Sequence, residues 1–447
     1  MDDYSVEDAS PDETGEDDID LSSWERACYE PGDVMPPCPA MVGLPALDGE
    51  VYRPEVVGEQ VPDVIVPGDA GWLAFYDGWL RAIPLDRWLR PSSEFAEWEP
   101  RSDVYAIPGD PSPRGNQAWA GEAGFLFALG YGGSYDLFRP SGLALADPRG
   151  VAVLPIMEHV REEVLLADSC RDEVAVAVGP TDGGLMLHLV DGRDLHYVWS
   201  APLYPIWGLE SIFLAMGRVG GDTYAVFGRM PGGDDEDALL SFWVVDEVGT
   251  PSPVPVTTDV SIRYRAIRCE SGGGPCQYYH RYGWMTSIDS RIPALGLPGG
   301  LGGAWTLYVV RANLFVDGNG PIEVVALRPD GTTAARSVVG EGVEPLLVWD
   351  GTALDVLYVY CDAAECGWDA LDAVPAEVRL VRVLPDLEVV EAPRTVQAGL
   401  LGPVLHQARF GGGVVAYLVA SYRAGSSGPG NTTAPQFVGR LACVPEP

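Results

Sequence analysis

Residues 304–340 read AWTLYVVRANLFVDGNGPIEVVALRPDGTTAARSVVG, and this pattern decides the fold. The run WTLYVV at 305–310 is apolar, of strand length, and rich in β-branched and aromatic residues. The turn-forming Asp317-Gly318-Asn319-Gly320 follows, then a second such run, IEVVAL at 322–327. Pro329-Asp330-Gly331 then closes a tight hairpin into a third strand.

The same strand–turn–strand unit recurs from Gly71, Gly124, Glu173, Thr223, Ala304, Ala353 and Gly413. Its steps are roughly 50 residues, the length of one four-stranded propeller blade, and only the step from Thr223 to Ala304 is longer. Asp77-Gly78, Asp182-Gly183, Asp191-Gly192, Asp317-Gly318 and Asp330-Gly331 supply the positive φ of hairpin turns. No helical periodicity competes with this pattern. The expectation is an all-β protein, a seven-bladed β-propeller, with six to eight blades as the range. Tandem β-sandwiches are the alternative, but they would not require one hairpin at a fixed period.

The chain has 447 residues, with Gly (54) and Pro (39) both favouring turns over long helices. Residues 1–23 hold ten Asp or Glu and no basic residue, so they cannot bury enough apolar area to offset their ordering entropy. The expected division is a disordered acidic leader at 1–26 and a propeller at 27–447, carrying a long insertion at about 268–303.

The formal net charge is −37, and every one of the 28 basic residues is arginine. Nucleic acid and anionic membrane surfaces are excluded as partners, because both are bound through a basic footprint that is missing here. No apolar run is long enough to span a membrane, and Met1-Asp2-Asp3 does not open a signal peptide. The eight cysteines include three close pairs, Cys28/Cys38, Cys269/Cys276 and Cys361/Cys366. Short pairs in Gly/Pro/Asp-rich loops predict disulfides and an oxidising, extracytoplasmic compartment, the export signal lying upstream or trimmed. A cytoplasmic protein with free thiols is the alternative. Cys170 and Cys443 are left over; a staple from Cys443 to the N-terminal loop is one option, since a propeller's first and last strands meet.

Candidate chemistry is sparse. No nucleophile elbow, phosphate loop, zinc-protease helix or dinucleotide fingerprint is present. His188 and His196 flank the Asp191-Gly192 turn and could face one another with Asp194, but a cross-strand polar pair explains them as well. Asp317 and Asn319 offer hard oxygen ligands for Ca²⁺ without the rest of a calcium loop, and the acidic run Asp234-Asp235-Glu236-Asp237 reads as a solvated connection. Gly296 to Gly303 reads as a flexible loop. No cofactor is expected beyond that calcium option, and no catalytic residue stands out. The segment IRCESGGGPCQYYHRYGWMTS breaks the regular period. Cys269 and Cys276 would staple it, and Tyr278, Tyr279, His280, Arg281, Tyr282 and Trp284 would offer stacking faces and donors to a ligand.

The hairpin repeat over 42–444, preceded by its acidic leader, resembles secreted bacterial β-propeller proteins of the envelope lipoprotein type. The resemblance is architectural. The W-D and G-H signatures, the S-x-D-x-G-x-T-W box and a YVTN series are all missing, so no family's catalytic residues transfer. The resemblance implies a non-enzymatic binding or scaffold protein at the cell envelope, contacting an unknown protein or glycan through propeller loops. It also implies a lipid anchor on an upstream extension. The second reading is a propeller lyase or hydrolase acting on glycans.

Overall fold

Each of the seven apolar runs becomes the second strand of an antiparallel meander in the computed structural model. The structure describes residues 38–48, 64–67, 72–76, 81–91, 112–121, 124–130, 141–147, 150–157, 163–167, 173–181, 184–203, 213–220, 223–229, 237–263, 294–301, 304–312, 319–361, 375–401, 403–421 and 436–444. Among these residues every regular element is a strand.

The chain opens with β1 (Ala40–Asp48), which waits for its partners until the far end of the sequence. A three-stranded sheet follows: β2 (Val64–Pro67), β3 (Trp72–Tyr76) and β4 (Arg81–Leu85). Next come β5 (Ser112–Gly121), β6 (Gly124–Gly130), β7 (Ser141–Asp147) and β8 (Gly150–Met157). The third group is β9 (Glu163–Ala167), β10 (Glu173–Thr181), β11 (Gly184–Asp191) and β12 (His196–Leu203). The fourth is β13 (Phe213–Gly220), β14 (Thr223–Arg229), β15 (Asp237–Val245) and β16 (Val256–Arg263). Then β17 (Ala294–Pro298), β18 (Trp305–Arg311), β19 (Gly320–Leu327), β20 (Thr333–Trp349), β21 (Leu354–Cys361), β22 (Pro375–Val383) and β23 (Val389–Leu401) form one continuous sheet. Finally β24 (Pro403–Gly411), β25 (Val414–Ser421) and β26 (Gln436–Val444) recruit β1 as their fourth strand.

The seven-stranded sheet is two blades sharing one strand. The first half of β20 pairs with β19 as the outer edge of one blade, and the second half pairs with β21 as the inner edge of the next. Glu344 takes a left-handed φ of 50° at a register shift between Val343 and Leu346, which bends the strand as it crosses. Counted this way, the described strands form seven blades. Each blade packs on the next, mostly through its first strand: β24 on β2, β2 on β5, β6 on β9, β9 on β13, β13 on β17, β17 on β20, and β20 back on β24. The molecule is a β-propeller, and its ring is closed by β1 on β26.

The cores lie between neighbouring blades. One joins Leu240 and Phe242 of β15 to Leu307 and Val309 of β18. Another joins Trp72 and Ala74 of β3 to Val414, Ala416 and Leu418 of β25. Because a second strand has a blade-neighbour on each face, both sets of its side chains are buried, as in β18 and β21. Each fully buried Val or Leu contributes about 1.5–3 kcal/mol.

Four of the described turns from third to fourth strand, at 86–90, 246–250, 328–332 and 384–388, share one construction. In 86–90 and 246–250 a backbone pair closes the turn (Asp86 N–H to the Arg90 carbonyl, 2.8 Å; Asp246 N–H to the Thr250 carbonyl, 3.1 Å). The Asp side chain accepts two further N–H groups. The closing residue is left-handed: Leu89 (φ 62°), Gly249 (φ 78°), Gly331 (φ 81°) and Leu387 (φ 69°). Leucine there costs on the order of 1 kcal/mol, and burial of Leu89 and Leu387 in the blade interfaces offsets it. Glycine is required at 249, where a Cβ would lie 2.7 Å from the Trp199 ring of the adjacent blade.

In the closing blade no covalent turn joins third strand to fourth, because β26 and β1 lie at opposite ends of the chain. A disulfide takes its place: Cys38 bonds Cys443, Cα atoms 5.5 Å apart across 405 residues of sequence. This corrects the expected Cys28–Cys38 pair. Sequence proximity favoured Cys28, but ring closure brings Cys443, on the last strand, beside the residue that precedes the first. Cys361 is also disulfide-bonded; Cys366, Cys269, Cys276, Cys28 and Cys170 lie outside the described residues, as does the leader. The proposed insertion also contracts, because Ala294–Pro298 is the inner strand of a blade. The glycine-rich 296–303 is likewise part strand and part turn, its Thr306 hydroxyl donating to the Gly299 carbonyl at 2.9 Å.

Closing a loop of this length by a disulfide stabilises by about 2–5 kcal/mol. Replacing both Cys38 and Cys443 by serine is therefore expected to lower unfolding stability by that amount in denaturant titrations, with the native fold retained. A shift below about 0.5 kcal/mol would show that strand pairing alone holds the ring.

Candidate functional site

The β11–β12 hairpin gathers donor groups on its turn. Asp191 is the last residue of β11, and its carboxylate accepts the Arg193 N–H (2.9 Å), Arg193 Nε (3.0 Å) and Arg193 Nη2 (2.7 Å). These hydrogen bonds hold the Asp191 carboxyl below the usual carboxylate range. Leu195, in the left-handed region (φ 61°), ends the turn and sends its N–H to the Asp191 carbonyl at 2.8 Å. His196 then starts β12, with its Nδ1 hydrogen-bonded to Asp194 Oδ1. That bond raises the His196 pKa above the ordinary histidine value.

Asp191, Asp194 and His196 present one ligand atom each within 4.8 Å of one another. Two carboxylates and an imidazole suit a divalent ion of the zinc or copper group. Arg193 already occupies both Asp191 oxygens, so a cation would have to displace a guanidinium that neutralises the site. The arrangement is complete without a metal.

His188 does not join this group. The hairpin register pairs His188 with Ser200 and Asp191 with His196, because a bulge between Leu189 and Val190 shifts the strands. The His188 Nδ1 lies 2.8 Å from Ser200 Oγ, and its ring stacks at a tilt on Tyr197, centroids 5.0 Å apart. Burial lowers its pKa. Asn319, offered above as a calcium ligand, spends its amide on a neighbouring blade: Nδ2 donates to the Cys361 carbonyl at 2.6 Å, and Oδ1 accepts the Cys361 N–H at 3.3 Å. Asp317, the acidic residues Asp234, Asp235 and Glu236, and the six-residue aromatic set (Tyr278, Tyr279, His280, Arg281, Tyr282, Trp284) lie outside the described residues.

What the structure fixes is where those segments attach. In an antiparallel meander, first-to-second and third-to-fourth connections leave one face, and the others leave the opposite face. The Asp-closed turns all lie on the first face. Five connections run to thirteen residues or more: 49–63, 264–293, 362–374 and 422–435 start and end at the second face, and 86–111, between β4 and β5, starts at the first and ends at the second.

Sequence reasoning passed over a set of three arginines, Arg382 and Arg440 buried and Arg394 half-buried, that the structure makes prominent. Arg382, on β22, donates Nη2 to the Cys38 carbonyl at 2.7 Å. Arg394, on β23, donates to the Met41 carbonyl. Arg440, on β26, donates to the Pro45 carbonyl (2.6 Å) and the Trp88 carbonyl (2.7 Å). Three guanidinium groups thus grip successive carbonyls along the N-terminal strand. Their signal was present: Arg382 and Arg440 interrupt apolar runs, and a cation there must be paired if buried.

Comparison with known proteins gives architecture only. No protein-family model matches the chain, and no curated protein matches it. Among solved structures it is similar to the Dos1 propeller (8% identity, 91% of this chain and 96% of that one, TM-score 0.46). It is also similar to BamB from Moraxella catarrhalis (12%, 90% and 99%, TM-score 0.36) and AztD from Citrobacter koseri (12%, 77% and 74%, TM-score 0.38).

The two histidines of the hairpin should titrate apart. The Asp194 carboxylate stabilises the charged form of His196, and burial destabilises that of His188, so His196 is expected to deprotonate at the higher pH. Imidazole resonances followed by NMR across pH 4–9 check this, and Asp194→Asn should return His196 toward about 6.5. Equal midpoints in the wild type would contradict the hairpin geometry.

Proposed function

We propose that this protein is an exported, non-enzymatic binding or scaffold protein that engages a protein or glycan through one face of its propeller. The observation that carries the reading is the inequality of the two faces. One face carries mostly short turns, several of them locked by Asp side chains, and the other holds both ends of four of the five longest connections. Recognition generally sits on loops held by a rigid scaffold. The ends of 264–293 are anchored at that face on β16 and β17, and the residues from Cys269 to Trp284 belong to this connection.

One observation supports export. The Cys38–Cys443 bond and the disulfide at Cys361 belong to an oxidising compartment. No helix among the described residues is long and apolar enough to cross a membrane. The acidic residues 1–26 then serve as a spacer ahead of the closed ring.

The test is substitution of the proposed anchors. Trp284→Ala and Tyr282→Ala are expected to weaken binding of any ligand from a glycan array or peptide library by at least tenfold, with melting temperature unchanged. A loss of stability of about 3–5 kcal/mol would instead make Trp284 a core residue and overturn its role.

A further inference from the structure

Beneath the start of the N-terminal strand, three ionisable side chains are sealed from water: Asp350 and Asp355 (both 0% exposed) and Arg382 (1%). Asp350 follows β20, and Asp355 and Arg382 are direct cross-strand partners on β21 and β22. Asp350 is fully engaged as a carboxylate. Its Oδ1 accepts the N–H groups of Thr352 and Ala353, each at 2.7 Å, and its Oδ2 accepts Arg382 Nη2. The same Nη2 donates to the Cys38 carbonyl, and the Cys38 N–H donates to the Thr352 hydroxyl at 2.9 Å. The cluster therefore seats the first residue of the closing strand at both its amide and its carbonyl.

Its charges do not balance. One guanidinium serves two carboxyl groups, and the next charged pair outward, Glu391 with Arg394 on β23, leaves Glu391 Oε2 buried with no partner among the described residues and adds a further negative charge near Asp355. Asp355 receives only Arg382 Nε at 2.9 Å; its Oδ2 is buried with no partner among the described residues. An ionised Asp355 would place a surplus negative charge in the blade interface, which burial strongly disfavours.

We propose that the Asp350–Arg382–Asp355 cluster is a proton-operated latch on the N-terminal strand. With a proton on Asp355, the guanidinium is shared between Asp350 and the Cys38 carbonyl, and the ring is shut. When that proton passes to solvent, the Asp355 carboxylate competes for the guanidinium, repels Asp350, and loosens the seat of Cys38. Burial, and after it the charge of Asp350, push the Asp355 carboxyl well above the usual range, against the pull of Arg382. The folded state thus holds this proton more tightly than the unfolded chain. The contribution to stability is present below the ordinary carboxylate range and is lost as pH rises through the elevated folded value. The Cys38–Cys443 bond keeps a released strand attached, so opening is local and reversible.

Hydrogen exchange by mass spectrometry on the oxidised protein, from pH 5 to 9 and corrected for intrinsic base catalysis, tests the latch. Opening of 40–48 is expected to rise at least tenfold with pH while 305–311 stays constant. Asp355→Asn, neutral at every pH, should remove the dependence, and Glu391→Gln, which takes away a neighbouring negative charge, should move it to lower pH without removing it. An unchanged pH dependence in Asp355→Asn, or equal opening of both segments, overturns the proposal. If Asp355→Asn does not fold, infrared difference spectra of the wild type decide. A protonated carboxyl band that persists above the ordinary carboxylate range, and is lost with rising pH together with the protection of 40–48, supports the latch; protection that falls with no such band, or while the band is unchanged, refutes it.

Discussion

The pairing of β1 with β26 is the constraint on which the rest of the molecule depends. The blades formed by the described strands pack in sequence, and each buries its apolar faces against its neighbours, so an open ring would expose two blade faces to water. Closure between residues about 400 apart costs loop entropy before any contact forms. The protein meets that cost at several levels at once: antiparallel register from Ala40 with Val444 to Asp48 with Phe437, a disulfide where other blades have a turn, and three arginines on carbonyls of the incoming strand. The use of arginine is chemically apt. A guanidinium offers several donors in a fixed fork and can serve a carboxylate and a carbonyl together, as Arg382 does.

This closure separates the protein's stability from its surface. Tyrosines on second strands show how: Tyr308 reaches from one blade to donate to the Pro385 carbonyl of the next at 2.9 Å, and burial lifts its pKa to about 12. Tyr358 covers Gly340 and Gly342 where β20 crosses between blades. Such contacts run around the ring and not across its faces. Loops carried by such a scaffold can vary without disturbing it, which is the condition a recognition surface needs.

The sequence showed the fold through its second strands. WTLYVV, LDVLYVY and VVAYLV are continuous apolar runs because both faces of these strands are buried, and they set the period. The outer strands were harder to read. β12 begins with His196, Tyr197 and Val198 all exposed, and β23 is largely exposed along its first half. Inner strands such as Leu297 with its glycine and proline neighbours resemble loops, which is why β17 fell inside the expected insertion. The Cys38–Cys443 bond was legible only as an option, since the pairing is decided by ring closure and not by spacing. The arginine cluster was missed because its members meet only when β1, β20, β21 and β22 have assembled. Of the ligand-binding set at 278–284, the structure gives the point of attachment on the ring.

The shared strand β20 gives the ring a built-in asymmetry. Elsewhere, adjacent blades are joined by side-chain packing and can in principle part without breaking a hydrogen-bond ladder. Between the β17–β20 and β20–β23 blades one strand runs through both, so separating them means stripping β20 from β19 over 333–342 or from β21 over 343–349. These two blades are thus a single mechanical and cooperative unit. The period at which the sequence repeats is one blade, but the smallest piece that can be lost, duplicated or melted at this point of the ring is two.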